Sequence, residues 1–182
     1  GVELVPEKMK PMVDFEKVTM VSGNKLVFDI TQVTDERSDT SNVGLAKTGV
    51  SNVATPIVIQ GGTTEYVKDR LVSGLKKRGV SLRADGDAHL RVKILELRIL
   101  EEIDGNGPAE RSTCMVKLQL NMHFDNEPIA KWTGDIAVKA NSKGTIFDAT
   151  DLGGPMLESC MNELVEKLIR EPKFQGLTGI SI

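Results

Sequence analysis

Apolar and polar residues alternate through the middle of the chain, in the two-residue period of a half-buried β-strand. The alternation is most regular over residues 114–124 and resumes over residues 130–138, after the turn Asp125-Asn126-Glu127. Residues 88–103 form a longer run, but its apolar positions change phase near Ile94-Leu95, which predicts a β-bulge or a strand covered on both faces. Together the three segments predict an antiparallel meander.

Two other segments place apolar residues three and four positions apart, the spacing of an amphipathic helix. The first, residues 64–78, follows Gly61-Gly62-Thr63-Thr64, where a threonine is expected to cap the helix, and precedes Gly79, which suits a left-handed cap. Its last turn holds three basic residues that favour the negative end of the helix dipole: Lys76, Lys77 and Arg78. The second helix is predicted over residues 155–170.

The remaining segments are short or irregular. Residues 25–32 and 57–59 have the pattern of strands, while residues 33–54 are polar and predict a long loop. Residues 1–24 have no clean periodicity and indicate an N-terminal tether, and residues 173–182 are expected either to fray or to pack as an extension.

The elements add up to an α+β fold. We expect a two-layer sandwich in which two amphipathic helices pack on a mostly antiparallel sheet of about five strands. Residues 25–182 would form this single domain, a size that suits a chain of 182 residues. The first residue is Gly1 rather than Met, so we interpret the chain as processed or cut from a longer protein.

Composition and charge narrow the class of function. The chain is 40% apolar and 27% charged, which is typical of a protein that forms a core. Its formal net charge is −3, and only 4% of its residues are aromatic. A nucleic-acid-binding surface combines basic with aromatic residues, so we expect no nucleic-acid partner. No apolar run approaches the roughly 18 residues of a membrane span.

Few side chains suit catalysis or metal binding. His89 and His123 are the two histidines, and both fit surface positions at strand ends. Cys114 and Cys160 lie on predicted apolar faces, either as two buried thiols or, in an oxidising compartment, as a disulfide. The acidic turns lack the ligand order of a calcium loop, and the glycines at 61–62 lack the lysine of a phosphate loop. We therefore predict no catalytic residue, no metal and no cofactor.

In the predicted fold, nothing is assigned to cover one apolar stretch of the long strand. After the phase change, Leu95, Leu97 and Ile99 share one face. If the helices cover only one face of the sheet, these three residues form a candidate surface for a protein partner. In the alternative arrangement, the loop at residues 33–54 or the tether covers them.

Four short stretches, in this order of elements, resemble the YajG-type lipoproteins of Gram-negative bacteria. They are Asp35-Glu36-Arg37, Arg78-Gly79-Val80, Ala88-His89-Leu90-Arg91-Val92 and Trp132-Thr133-Gly134. The resemblance covers roughly residues 25–170, and LptE-like and LpoB-like envelope proteins have a similar order of strands and helices. It implies a signal peptide, a lipidated N-terminal cysteine and a scaffold or partner-binding role. It carries over no catalytic residue.

These observations predict a non-enzymatic domain on the periplasmic side of a Gram-negative envelope, which binds another envelope protein. Any membrane association would come from a lipid anchor outside this chain, in the outer membrane. A second hypothesis is a carrier of a small apolar or lipidic ligand, because the helices and strands are rich in Leu, Ile and Met. A third is a hydrolase that uses His123 or His89 with an acid from a nearby turn.

Overall fold

Seven strands and three helices make up the described part of the chain. The computed structural model describes residues 2–47, 54–103, 109–145 and 153–182. The strands are β1 (Val2–Leu4), β2 (Phe28–Asp35), β3 (Gly44–Lys47), β4 (Ala54–Ile59), β5 (Ala88–Ile103), β6 (Ala109–Phe124) and β7 (Trp132–Thr145). The helices are α1 (Thr63–Lys77), α2 (Gly153–Ile169) and α3 (Pro172–Thr178).

The predicted meander is confirmed. β5 pairs antiparallel with β6, and β6 pairs antiparallel with β7. The register of β5 against β6 shifts between Ile94 and Glu96, so the phase change marks a β-bulge at Leu95. The apolar set of each strand is buried under the helices, while the alternate residues lie on the opposite face of the sheet.

The sheet is larger than predicted and mixed rather than mostly antiparallel. β2 runs parallel to the first half of β5, and β3 runs parallel to its second half. β3 also pairs antiparallel with β4, which runs parallel to β1. β1 and β3 escaped prediction because strands of three and four residues are too short to show a period.

Gly44, in the segment predicted to be a loop, allows β3 to join the sheet. Its φ is +148°, and a Cβ at this position would collide with the carbonyl oxygen of Ile99. Only glycine therefore lets the chain approach β5 this closely.

The helix layer confirms both predicted helices and adds a third. Gly79 has the expected positive φ after α1, but the residue at the start of α1 is Gly62, and no threonine side chain caps the helix. The tail was expected to fray or to pack as an extension. It packs against the domain and forms α3, because the Glu171 side chain caps this helix at the Phe174 amide. Phe174 is buried against Phe28 and Trp132.

Candidate functional site

The N-terminal segment expected to be a tether lies against the domain in the structure. β1 extends the sheet, and residues 6–19 run along the helices, where helix side chains bind their backbone. The Met12 amide donates to Ser159 Oγ over 2.9 Å, and Asn162 Nδ2 donates to the carbonyls of Phe15 and Lys17. The irregular pattern of this segment reflects two 3₁₀ turns and extended stretches, which have no single period.

A buried ion pair binds the C-terminal end of this segment, at Lys17 and Thr19. Arg78 is 0% exposed, and its Nε donates to Glu166 Oε2 over 2.6 Å. The other guanidinium nitrogens donate to the carbonyls of Gly74 and Lys17 and to Asn162 Oδ1. Arg78 is therefore an internal crosslink between α1, α2 and the N-terminal segment, and not the exposed dipole cation that its sequence position suggests.

Glu166 is the acceptor at the centre of this cluster. Burial acts to raise its pKa, but hydrogen bonds from Thr19 and Arg78, with a further one from Arg170, outweigh burial and lower the pKa from its usual 4.5 to about 2. The Thr19 hydroxyl donates over 2.6 Å and the Arg170 guanidinium over 3.1 Å. Glu166 is thus ionised at all pH values above the acid range.

A second charged cluster binds the N-terminal end of the same segment, at Pro6. Arg70 Nε donates to both carboxylate oxygens of Glu158, over 2.9 and 3.0 Å, and Arg70 Nη2 donates to the Pro6 carbonyl over 2.6 Å. The Tyr66 hydroxyl donates to the same carboxylate over 3.2 Å. Burial is the larger cause and the negative charge of Glu158 the second; together they raise the pKa of Tyr66 well above 10. Tyr66 therefore remains protonated and acts as a hydrogen-bond donor.

Between the two clusters lies a groove of about 580 Å³, which we call the helix groove. The N-terminal segment forms one wall, and α1 and α2 form the other two. Its lining combines apolar residues with polar ones and with charges of both signs: Met9, Pro11, Val18, Met161 and Val165 with Lys10, Glu16, Ser73 and Lys77. Its volume lies within the range of small-molecule sites, about 300–1,000 Å³.

The two cysteines form a disulfide between β6 and α2. Cys114 and Cys160 are both 0% exposed, and 46 positions separate them in the sequence. The sequence left free thiols and a disulfide open, and the structure has the disulfide. It pins the helix layer to the sheet at the middle of the core.

The candidate partner surface does not form as predicted. Leu97 and Ile99 are 3% and 0% exposed and belong to the core, because the bulge turns them toward the helices. Leu95 lies at the bulge and is half-buried. Arg37, from the loop after β2, donates to the Leu97 carbonyl over 3.2 Å, so this loop contacts the backbone next to the bulge.

The structure brings the two histidines together, which the sequence did not predict. His89 and His123 are direct cross-strand neighbours on β5 and β6. His89 Nε2 lies 3.9 Å from an Asp125 oxygen, and His123 Nδ1 lies 3.3 Å from the Glu127 carbonyl oxygen. Within the described ranges, no group of three or more His, Cys, Asp or Glu side chains is arranged to hold a metal ion.

The outer edge of β7 is the other distinctive surface. Among the described strands, β7 pairs with β6 alone. The flank of α2 stands beside this edge and leaves a cleft of about 490 Å³, which we call the edge cleft. It is lined by Lys17, Ala137, Val138, Lys139, Glu163, Glu166, Lys167 and Arg170.

Among the helices described, none is long and apolar enough to span a bilayer.

Comparison with solved structures identifies a shared fold. The chain is similar to protein XCC0632 from Xanthomonas campestris, of the DUF330 family, with 11% identity, 91% of each chain covered and a TM-score of 0.55. It has weaker similarity to a minor lipoprotein from Acinetobacter baumannii, with 9% identity, 81% of this chain and 94% of that chain covered, and a TM-score of 0.44.

No protein-family model and no curated protein matches the sequence. The resemblance to YajG-type lipoproteins therefore stays a prediction. The likeness to XCC0632 shows that the two proteins share a fold.

Proposed function

We propose that this chain is the folded domain of a non-enzymatic lipoprotein on the periplasmic side of a Gram-negative envelope, where it binds another envelope component. The observation that carries the proposal is the buried disulfide between Cys114 and Cys160. Disulfides form and persist in oxidising compartments such as the periplasm and are rare in the cytosol. The sequence resemblance to YajG-type lipoproteins supports a lipid anchor in the outer membrane.

The compartment is tested by trapping thiols in cells that express the native gene. We expect Cys114 and Cys160 to resist a maleimide label until the protein is denatured and reduced, and the protein to separate with the outer-membrane fraction. A Cys114→Ala variant leaves Cys160 without its partner and provides the matched control for labelling, measured after denaturation. A cytoplasmic protein with two reactive thiols would rule the proposal out.

The binding role is tested by site-directed cross-linking in the same cells. A photoreactive residue at Lys93, on the open face of the sheet, is compared with one at Lys68, on the helix layer. We expect one of the two faces to cross-link to a defined envelope component and the other to give none. If neither position yields a specific product, the chain does not act through a partner bound to either layer.

A second candidate function follows from the helix groove. Its volume of about 580 Å³ and its mixture of apolar walls with Lys10 and Lys77 suit a small amphipathic ligand that carries a negative charge. The groove would then make the chain a carrier of a lipidic molecule, held between the helices and the N-terminal segment.

The carrier function predicts a co-purifying ligand. Native mass spectrometry of protein from its own host should show an added mass that a Ser73→Trp change removes, because Ser73 lines the groove and is exposed enough for the larger ring to fill it. Ser81→Trp is the matched control, since Ser81 is exposed and lies outside the groove. The same mass in both variants, or no added mass in the unmodified protein, would exclude the groove as a ligand site.

A further inference from the structure

β7, a strand of 14 residues, lies at the edge of the sheet, and no other strand in the described part of the chain pairs with its outer side. Free edges of this length are templates for pairing with another strand, and proteins blunt them with lysines and other charges. Here one lysine does so directly: Lys167 Nζ, from α2, donates to the Ala137 carbonyl over 2.8 Å. The outer side of β7 at Ala137 therefore has a side chain as its partner, and none of the described strands pairs there.

The contact at Ala137 shows which backbone N–H and C=O groups of β7 point away from β6. In an antiparallel ladder the N–H and C=O of one residue point to the same side, and alternate residues share that side. Because the Ala137 carbonyl points away from β6, the backbones of Asp135 and Lys139, and next those of Thr133 and Asn141, point the same way. All four side chains are exposed.

We propose that a second copy of this chain pairs its β7 with this edge, antiparallel and with the two-fold axis at Ala137. In that register residues equally far from Ala137 face each other. Asp135 of each copy meets Lys139 of the other, and Thr133 meets Asn141. Within the described part of the chain, neither Asp135 nor Lys139 has an ion-pair partner. Both would gain one, and opposite charges placed across neighbouring strands are stabilising.

The inner face of the same register is also self-complementary. Ile136 of one copy meets Val138 of the other, next to the core, and Gly134 meets Ala140. Ile136 is 2% exposed and Val138 is partly buried against the core. The pairing would therefore extend the apolar layer of each copy across the two-fold axis, while its charged pairs lie on the opposite face.

The helix layer leaves room for the second copy. α2 packs against β6 and β7 alike, so it lies over the two strands nearest the edge. In the proposed pair the α2 helices of the two copies would lie side by side across the two-fold axis, where packed helices are ~8–10 Å apart. The edge cleft is then the space between them. Lys167, released from Ala137, would face Glu163 of the second copy.

The oligomeric state tests the inference. Sedimentation and light scattering at micromolar concentration should give a mass of about 40 kDa, twice the 19.8 kDa of one chain. Ala137→Pro should give the mass of a single chain, because proline removes the outward N–H and leaves the β6 ladder intact. A monomeric unmodified protein, or a dimeric Ala137→Pro variant, would overturn the proposal.

Charge reversal distinguishes this register from any other dimer. Asp135→Lys or Lys139→Asp alone places like charges opposite each other twice and should weaken the dimer about tenfold or more. The double variant Asp135→Lys/Lys139→Asp restores both pairs and should recover the affinity. Lys93→Asp, on β5 and away from the edge, is the matched control and should leave the dimer unchanged. A double variant as weak as the single ones would refute the register.

Hydrogen exchange distinguishes loss of the dimer from a folding defect, because it reports on the β7 edge amides and the β6 amides separately. In the dimer the amides of Asp135, Ala137 and Lys139 should be protected, and Ala137→Pro should expose those of Asp135 and Lys139 while the amides of β6 stay protected. These experiments on the oligomeric state can succeed or fail separately from the proposed function, which is tested by the cellular compartment of the protein. Rapid exchange of these edge amides in the unmodified protein would contradict the inference.

Discussion

Replacing Cys114 and Cys160 together with alanine is expected to lower the free energy of unfolding by about 4 kcal/mol, because the disulfide closes a loop of 46 residues. A crosslink of this span restricts the unfolded chain more than the folded one. The bond also joins β6 to α2 in the core, so its loss removes the covalent link between the sheet and the helix layer.

Thermal and urea unfolding measure this effect. In a domain of this size, 4 kcal/mol corresponds to a fall in the melting temperature of about 10 °C or more. A reducing agent should shift the unmodified protein by a similar amount and leave the double alanine variant unchanged, which is the control. If the double alanine variant melts at the same temperature as the unmodified protein, the disulfide does not stabilise the domain.

The second large effect is expected at the buried ion pair. Arg78→Leu should lower the free energy of unfolding by about 3 to 5 kcal/mol, because it leaves the Glu166 carboxylate buried without its nearest cation. The change also removes the guanidinium bonds to the Gly74 and Lys17 carbonyls, so α1 and the N-terminal segment lose a shared donor.

Acid titration separates the charge effect from the lost packing. The pKa of Glu166 is about 2 in the folded chain and near 4.5 when unfolded, so its ionised form stabilises the fold fully above pH 4.5. That contribution, about 3 kcal/mol, is lost as the pH falls through 2. The deficit of Arg78→Leu relative to the unmodified protein should therefore be largest near neutral pH and shrink in acid.

Two variants control this prediction. Arg170→Leu removes a more exposed cation from the same carboxylate and should cost only about 1 kcal/mol. Arg78→Leu/Glu166→Leu removes both charges and should be more stable than Arg78→Leu alone, since a buried pair replaced by apolar groups leaves no unpaired charge. A double variant less stable than the single one would show that the pair is not coupled as the geometry indicates.

Much of the fold could be predicted because its largest elements have clear periods. The meander and the two long helices were identified from alternation and from three- and four-residue spacing, and β5 was predicted with its observed bounds. The bulge at Leu95 was visible as a phase change. The short strands β1 and β3 and the helix α3 were missed, because their places depend on backbone pairing and on a cap rather than on periodicity.

The candidate sites were less predictable. The surface expected at Leu95, Leu97 and Ile99 is mostly core, because a one-residue bulge reverses which side chains face the helices. Arg78 looked like a helix-end cation, and only the packing of α2 beside α1 placed Glu166 within 2.6 Å of it. Periodicity gave no signal for this pair, because Glu166 lies on the opposite side of the helix from the apolar positions Leu157, Met161, Leu164 and Leu168.

The sequence by itself determined the fold class, the meander, the two long helices and the scarcity of catalytic groups, because each of these depends on local composition or periodicity. Tertiary structure alone decided how β2 and β3 share one side of β5, which cations are buried, and that Cys114 meets Cys160. It also decided that the β7 edge has Lys167 as its partner. These features join residues 30 to 88 positions apart, and only the packing of the helices on the sheet brings them together.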